Sequence, residues 1–146
     1  MLSALLQSWR FWALLSAVFA ALTAILAKVG VTQVSPDVAT FVRTVVILAL
    51  TAAILFASGQ APGLATIPGR SFGFLVASGL ATGASWLCYF RALALGDAAR
   101  VAPLDKLSVV LVAILGVMLL GESLTLPNWI GVALIAAGAV LVAYRS

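Results

Sequence analysis

The chain has 146 residues, 64% of them hydrophobic and only 8% charged, with a formal net charge of +4. A soluble domain carries about 25% charged residues, so this chain cannot cover itself with a polar surface, and one integral membrane domain over 1–146 is expected. A single cysteine, Cys88, and no histidine exclude an intrachain disulfide, Cys/His metal motifs and the Ser/His/Asp and Cys/His catalytic arrangements, so no enzyme, cofactor or metal is implied.

Residues 1–10 are a short lead, and Trp9, Phe11 and Trp12 mark a membrane interface, where amphipathic rings prefer to sit. The first predicted helix, 11–29, has the length of an apolar helix crossing ~30 Å of hydrocarbon. Lys28 at its end is placed to snorkel into the headgroups. Arg10, the apolar run, Ala24 and Ala27 also fit a signal peptide, but the run continues to Val29 and Arg10 is the lone n-region charge. Ser35-Pro36 favours a fresh helix start, and the second helix, 38–57, carries Arg43 about one and a half turns in. Gly59, Pro62, Gly63, Pro68 and Gly69 make 58–71 a loop.

The third predicted helix, 72–95, contains Gly79-Leu-Ala-Thr-Gly83, a pattern that lets helices approach closely. Ser78, Thr82 and Ser85 add small polar groups, and Arg91 falls in its last turns. Residues 96–100 are a tight connection. The fourth helix, 102–120, starts near Val101 or Pro103. The fifth, 127–143, has Trp129 and Tyr144 as interface anchors and Gly131 and Gly138 on one face. The link over 121–127 is short, so the last two helices form an antiparallel hairpin. The expected fold is an all-α integral membrane protein of five transmembrane helices with its ends on opposite sides.

The basic residues stand singly at the ends of apolar runs, not in a stripe, which argues against a nucleic-acid partner. Counted by loop, one side holds Arg10 and Arg70 and the other Lys28, Arg43, Arg91, Arg100, Lys106 and Arg145. The positive-inside rule then puts the second side in the cytoplasm and the N-terminus outside. Without Arg43, Arg91 and Lys106, which lie within helices, the tally falls to two against three, and insertion in both orientations stays open.

The stretch from Trp86 to Glu122 holds six of the twelve charged side chains. At a membrane boundary each charge needs a partner or a purpose. Asp105 and Lys106 are neighbours, and neighbours in a helix point about 100° apart, so they are not expected to pair with each other. The same-side count allows an Asp105–Arg43 or Asp105–Lys28 pair instead. Two readings stay open. One is a polar vestibule for a charged or zwitterionic solute, with Arg43, Trp86, Tyr89, Arg91, Asp105 and Lys106 as its candidate lining. The other is an interface salt bridge that fixes helix packing, with Trp86 and Tyr89 as packing residues. Asp105 is the candidate carboxylate for proton coupling. Glu122 either gates such a proton or caps the next helix. Gly79, Gly83, Gly131 and Gly138 offer faces for close approach, a dimer interface included.

Tyr-Phe-Arg-Ala-Leu at 89–93, Val-Ala-Pro-Leu at 101–104, Leu-Leu-Gly-Glu at 119–122 and Gly-Val-Ala-Leu-Ile-Ala-Ala-Gly at 131–138 resemble, in that order, the EamA-type module of the drug/metabolite transporter superfamily. The resemblance covers the whole chain and is strongest from 79 to 138. It implies half of a ten-helix inverted-repeat transporter with a central cavity and alternating access, in which the first four helices line the cavity and the fifth supports the assembly. Tyr89, Arg91, Pro103, Asp105 and Glu122 match its motif positions. It further implies a subunit moving small metabolites or drugs, in the export direction, across a bacterial inner (plasma) membrane. The partner would be a second copy, antiparallel insertion included, or a related module in a heterodimer. A lipid-linked sugar flippase subunit is the alternative within the class, and a non-transporting scaffold or regulatory subunit the alternative outside it. The first helix lacks the acidic residue of the four-helix small multidrug exporters, so the resemblance does not extend to polycation efflux.

Overall fold

A computed structural model describes residues 7–144. Its elements are α1 (Trp9–Gly30), α2 (Pro36–Ala57), a 3₁₀ turn (Ala61–Thr66), α3 (Gly69–Leu95), α4 (Ala98–Asp105), α5 (Ser108–Leu120) and α6 (Leu126–Ala143). Among the described residues there is no strand. Five runs are long and apolar enough to cross a membrane, α4 and α5 together supplying one of them. Arg145, which entered the orientation count, lies outside the described residues, as do residues 1–6 of the lead.

Local chemistry sets the helix ends. At the start of α2 the Ser35 hydroxyl accepts from the Val38 amide at 3.4 Å, Pro36 occupies the first turn and Asp37 places a negative charge there. All three suit a helix N-terminus. Further along α2, the hydroxyls of Thr40, Thr44 and Thr51 donate to the carbonyls of Pro36, Thr40 and Ile47, each at 2.8 Å. Polar groups satisfied inside their own helix are what a hydrocarbon surround demands.

The fourth span differs from the single helix expected over 102–120. Helix begins at Ala98, stops at Asp105 and restarts at Ser108. Pro103 has no N–H to return to the Ala99 carbonyl. The Lys106 amide is shared between the Ala102 and Pro103 carbonyls, at 3.3 and 3.1 Å, and the Leu107 amide bonds three residues back to the Leu104 carbonyl at 3.1 Å. The α5–α6 turn follows from Gly121, whose φ of +69° is left-handed and open to glycine at no steric cost. Asn128 closes it by accepting from the Thr125 amide at 3.1 Å and from the Thr125 hydroxyl.

The chain forms two compact units, residues 26–94 and the remainder from both ends. In the unit formed by both ends, α6 packs against α4 and α5, and Gly116 and Ala139 are buried. In the unit 26–94 the buried residues are Ala27, Val31, Thr40, Phe90 and Leu93. Elsewhere large apolar side chains such as Phe41, Leu75 and Leu134 stand exposed, as lipid-facing surfaces do.

Candidate functional site

Residues 26–94 contain one carboxylate, Asp37, and four cations, Lys28, Arg43, Arg70 and Arg91. Arg91, near the end of α3, donates to both Asp37 oxygens, at 3.1 and 3.4 Å. Arg43, on α2, lays its guanidinium over Trp86, 4.5 Å from the ring centroid, and Phe90, 5.5 Å away. Trp86 and Phe90 stand one turn apart on α3, so both rings face the same way. A planar guanidinium on aromatic faces is a favourable cation–π arrangement. Tyr89 meets Phe90 edge to face, with centroids 6.5 Å apart.

Lys28 is half-buried and donates from Nζ to the Leu93 carbonyl at 2.7 Å, a contact with protein that the expected snorkelling into headgroups did not include. The physical reason is the end of α3. Carbonyls in the last turn of a helix have no amide partner four residues on, and the partial negative charge there attracts a cation.

The two sets of contacts sit at different depths. Arg43 follows Asp37 by six residues and Trp86 precedes Arg91 by five, so a rise of about 1.5 Å per residue puts the Arg43–Trp86 pair roughly 7–9 Å further along both helices than the ion pair. The ion pair forms an outer tier and the stacked arginine an inner one.

The unit formed by both ends arranges its charges differently. Lys106 Nζ lies 3.3 Å from Asp105 Oδ2, a pair that the assumption of continuous helix had set aside. The helix ends at Asp105, and Lys106 is its C-terminal cap, so helical divergence does not separate them. A cation is also favoured at that end of the helix. Arg100 Nε stands 4.0 Å from Asp97 Oδ2, three positions away. The Glu122 amide donates to the Gly116 carbonyl at 3.1 Å, and its exposed side chain folds back over Gly116. A Cβ built on Gly116 would come within 2.6 Å of Glu122 Oε2.

Of the candidate lining residues, Arg43 and Trp86 are brought into contact, Tyr89 and Arg91 lie on the same turns of α3, and Asp105 and Lys106 form a pair of their own in the other unit. A methyl group added at Gly79, Gly83, Gly131 or Gly138 would meet nothing within 4 Å, so no contact inside the chain requires glycine there. Sequence reasoning missed Asp37 and Phe90. The signal for Asp37 was present, because the loop count that grouped Lys28, Arg43 and Arg91 puts Asp37 on their side. For Phe90 the signal was its spacing of four from Trp86.

Five membrane-crossing runs with charged side chains meeting between helices define a multi-pass integral membrane protein. Within that class the chain belongs to the EamA-like transporter family, whose model matches residues 7–144. A protein of a Sinorhizobium species described as an uncharacterized transporter in the cobO 3' region is 69% identical over 137 residues, covering 94% of this chain and 97% of that protein. No solved structure matches the chain. It is a transporter, not an enzyme.

Proposed function

We propose that the chain is one transmembrane domain over 1–146 and half of a ten-helix inverted-repeat exporter. In this reading it carries small metabolites or drugs out across the bacterial inner membrane by alternating access, paired with a second copy inserted the opposite way. The observation that carries this reading is the surface of α3. No residue in its most apolar 18-residue window is buried, yet the helix displays Ser78, Thr82 and Ser85 in one row and Gly79 and Gly83 in the next. Helical spacing runs these rows on to Tyr89 and Trp86. Thr82 satisfies its hydroxyl on the Ser78 carbonyl at 2.9 Å, but lipid gives adjoining rows of small residues little reason to be there. A second bundle, or a watered path between bundles, does.

Arg43, Trp86, Tyr89 and Arg91 are then solute-facing residues of the unit 26–94, and Asp105 and Lys106, at the break in the fourth span, are the candidates of the other unit. Interrupted helices recur at transporter binding sites. The open faces of Gly79, Gly83, Gly131 and Gly138 suit close approach by the second copy. The near balance of loop charges supports insertion both ways.

The test is a pair of reporters, one active only in the cytoplasm and one only outside, each fused to the C-terminus of the full chain. Inverted copies give signal from both. Signal from one alone rules out an inverted homodimer and requires a second, oppositely inserted module.

A further inference from the structure

Asp37 is the sole carboxylate of residues 26–94, and Arg91 holds it. Lys28 joins the same end through the Leu93 carbonyl, so three cations stand there against one anion. Within this unit, among the described residues, Arg43 enters no ion pair and donates no hydrogen bond to a carboxylate; it lies over the faces of Trp86 and Phe90 and interacts electrostatically with Tyr89. Stacking uses the faces of a guanidinium and leaves its five in-plane N–H donors available. A cation set within a membrane span without a counterion is costly to maintain and marks a site of function. The planar donor fork matches carboxylate and phosphate oxygens in bidentate geometry, and the surplus of positive charge around it draws anions inward.

We propose that Arg43, braced by Trp86 and Phe90, is the seat for an oxyanion carried by the transported solute, a carboxylate or a phosphate on a small organic molecule. The Asp37–Arg91 pair stands over this seat, with 60% of the Arg91 side chain and 64% of the Asp37 side chain exposed. So exposed a pair is held weakly and opens to admit the anion. The assignment to a solute rests on the transporter reading above, whereas the seat itself is open to test by binding alone.

The test titrates phenyl phosphate, benzoate and neutral benzamide into the purified full-length protein, in neutral detergent and in nanodiscs of phosphatidylcholine with and without phosphatidylglycerol. Heat is read by calorimetry. The Trp86 signal is read as the fluorescence difference from Trp86→Phe. Both anions are expected to saturate and to bind about 10-fold or more tighter than benzamide. Arg43→Gln is expected to erase that preference, and Arg43→Lys, which keeps the charge without the fork, to retain part of it. Equal binding of benzoate and benzamide by the parent protein overturns the proposal even if Arg43→Gln does not fold, and so does a preference that survives Arg43→Gln. Anion binding in phosphatidylcholine that disappears with phosphatidylglycerol places a lipid headgroup in the seat and overturns the assignment to a solute. Flux of cationic or neutral solutes through reconstituted protein that shows no anion preference removes this inference and leaves the transporter reading standing. Anion binding without flux does the reverse.

Discussion

Within residues 26–94, Arg91 reaches Asp37 across 54 positions and Lys28 reaches the Leu93 carbonyl across 65. After residue 95, Lys106 takes its chain neighbour Asp105, Arg100 takes Asp97 three back, and the Glu122 amide takes Gly116 six back. The second pattern is helix-end chemistry, in which charges and amides settle where a helix stops. The first joins side chains of separate helices, and it leaves Arg43 on two rings beside Tyr89, without an ion pair of its own. Long-range polar contacts inside a membrane need a preformed arrangement of helices, so they mark where the chain has built something beyond its own ends.

The sharpest way to break this contrast is to reverse one long-range charge. Asp37→Arg adds a fourth cation at the end that already holds Lys28, Arg43 and Arg91, and frees Arg91. Solute flux in proteoliposomes is expected to fall about 10-fold, since like charges now face each other where the pair must close. The swap Asp37→Arg with Arg91→Asp is expected to recover half or more of the loss, because contacting residues are not additive. No recovery would show that the pair is not a unit. Next in size is Asp105→Asn. Its partner is adjacent and half-exposed, and such pairs contribute about 0–1 kcal/mol, so flux should drop roughly 2–3-fold with insertion unchanged. A drop of about 10-fold would put Asp105 in the same class as Asp37 and erase the contrast.

Two smaller effects concern the α5–α6 turn. Gly121→Ala forces a side chain into a left-handed conformation at φ +69°, costing about 1 kcal/mol, read as a lower Tm in detergent with unchanged flux per folded protein. Gly116→Ala meets only the tip of Glu122 at 2.6 Å. A flexible carboxylate can swing aside, so stability should change by less than about 0.5 kcal/mol. A larger loss would mean that Glu122 is fixed in place, and the double variant with Glu122→Ala would then restore stability.

The spans were legible because each is an average over some twenty apolar residues, a signal that single exceptions do not erase. The interruption at 106–107 was not, because Pro103 reads equally well as the start of a helix and as a residue inside one, and the switch to three-residue hydrogen bonds falls after it, where neither glycine nor proline marks a stop. That one ambiguity also hid the Asp105–Lys106 pair. Arg43 and Trp86 stood out singly as polar and aromatic residues in apolar runs. Their stacking depends on the approach of α2 to α3, which no local pattern encodes. Asp37 was overlooked for its ordinary role, since an acidic residue in the first turn of a helix explains itself without a distant partner.

If the α3 face leading to Trp86 lines a watered solute path while the last helix is covered by lipid or protein, the two differ in their access to water. The direct measurement is labelling by a membrane-impermeant maleimide in sealed vesicles, using Ser85→Cys and Leu134→Cys, each in a Cys88→Ser background. Both parent side chains are exposed on the isolated chain. The cysteine at 85 is expected to react and to be slowed by phenyl phosphate, and the cysteine at 134 is expected not to react. An unreactive cysteine at 85, or equal reactivity at both positions, would rule out such a path.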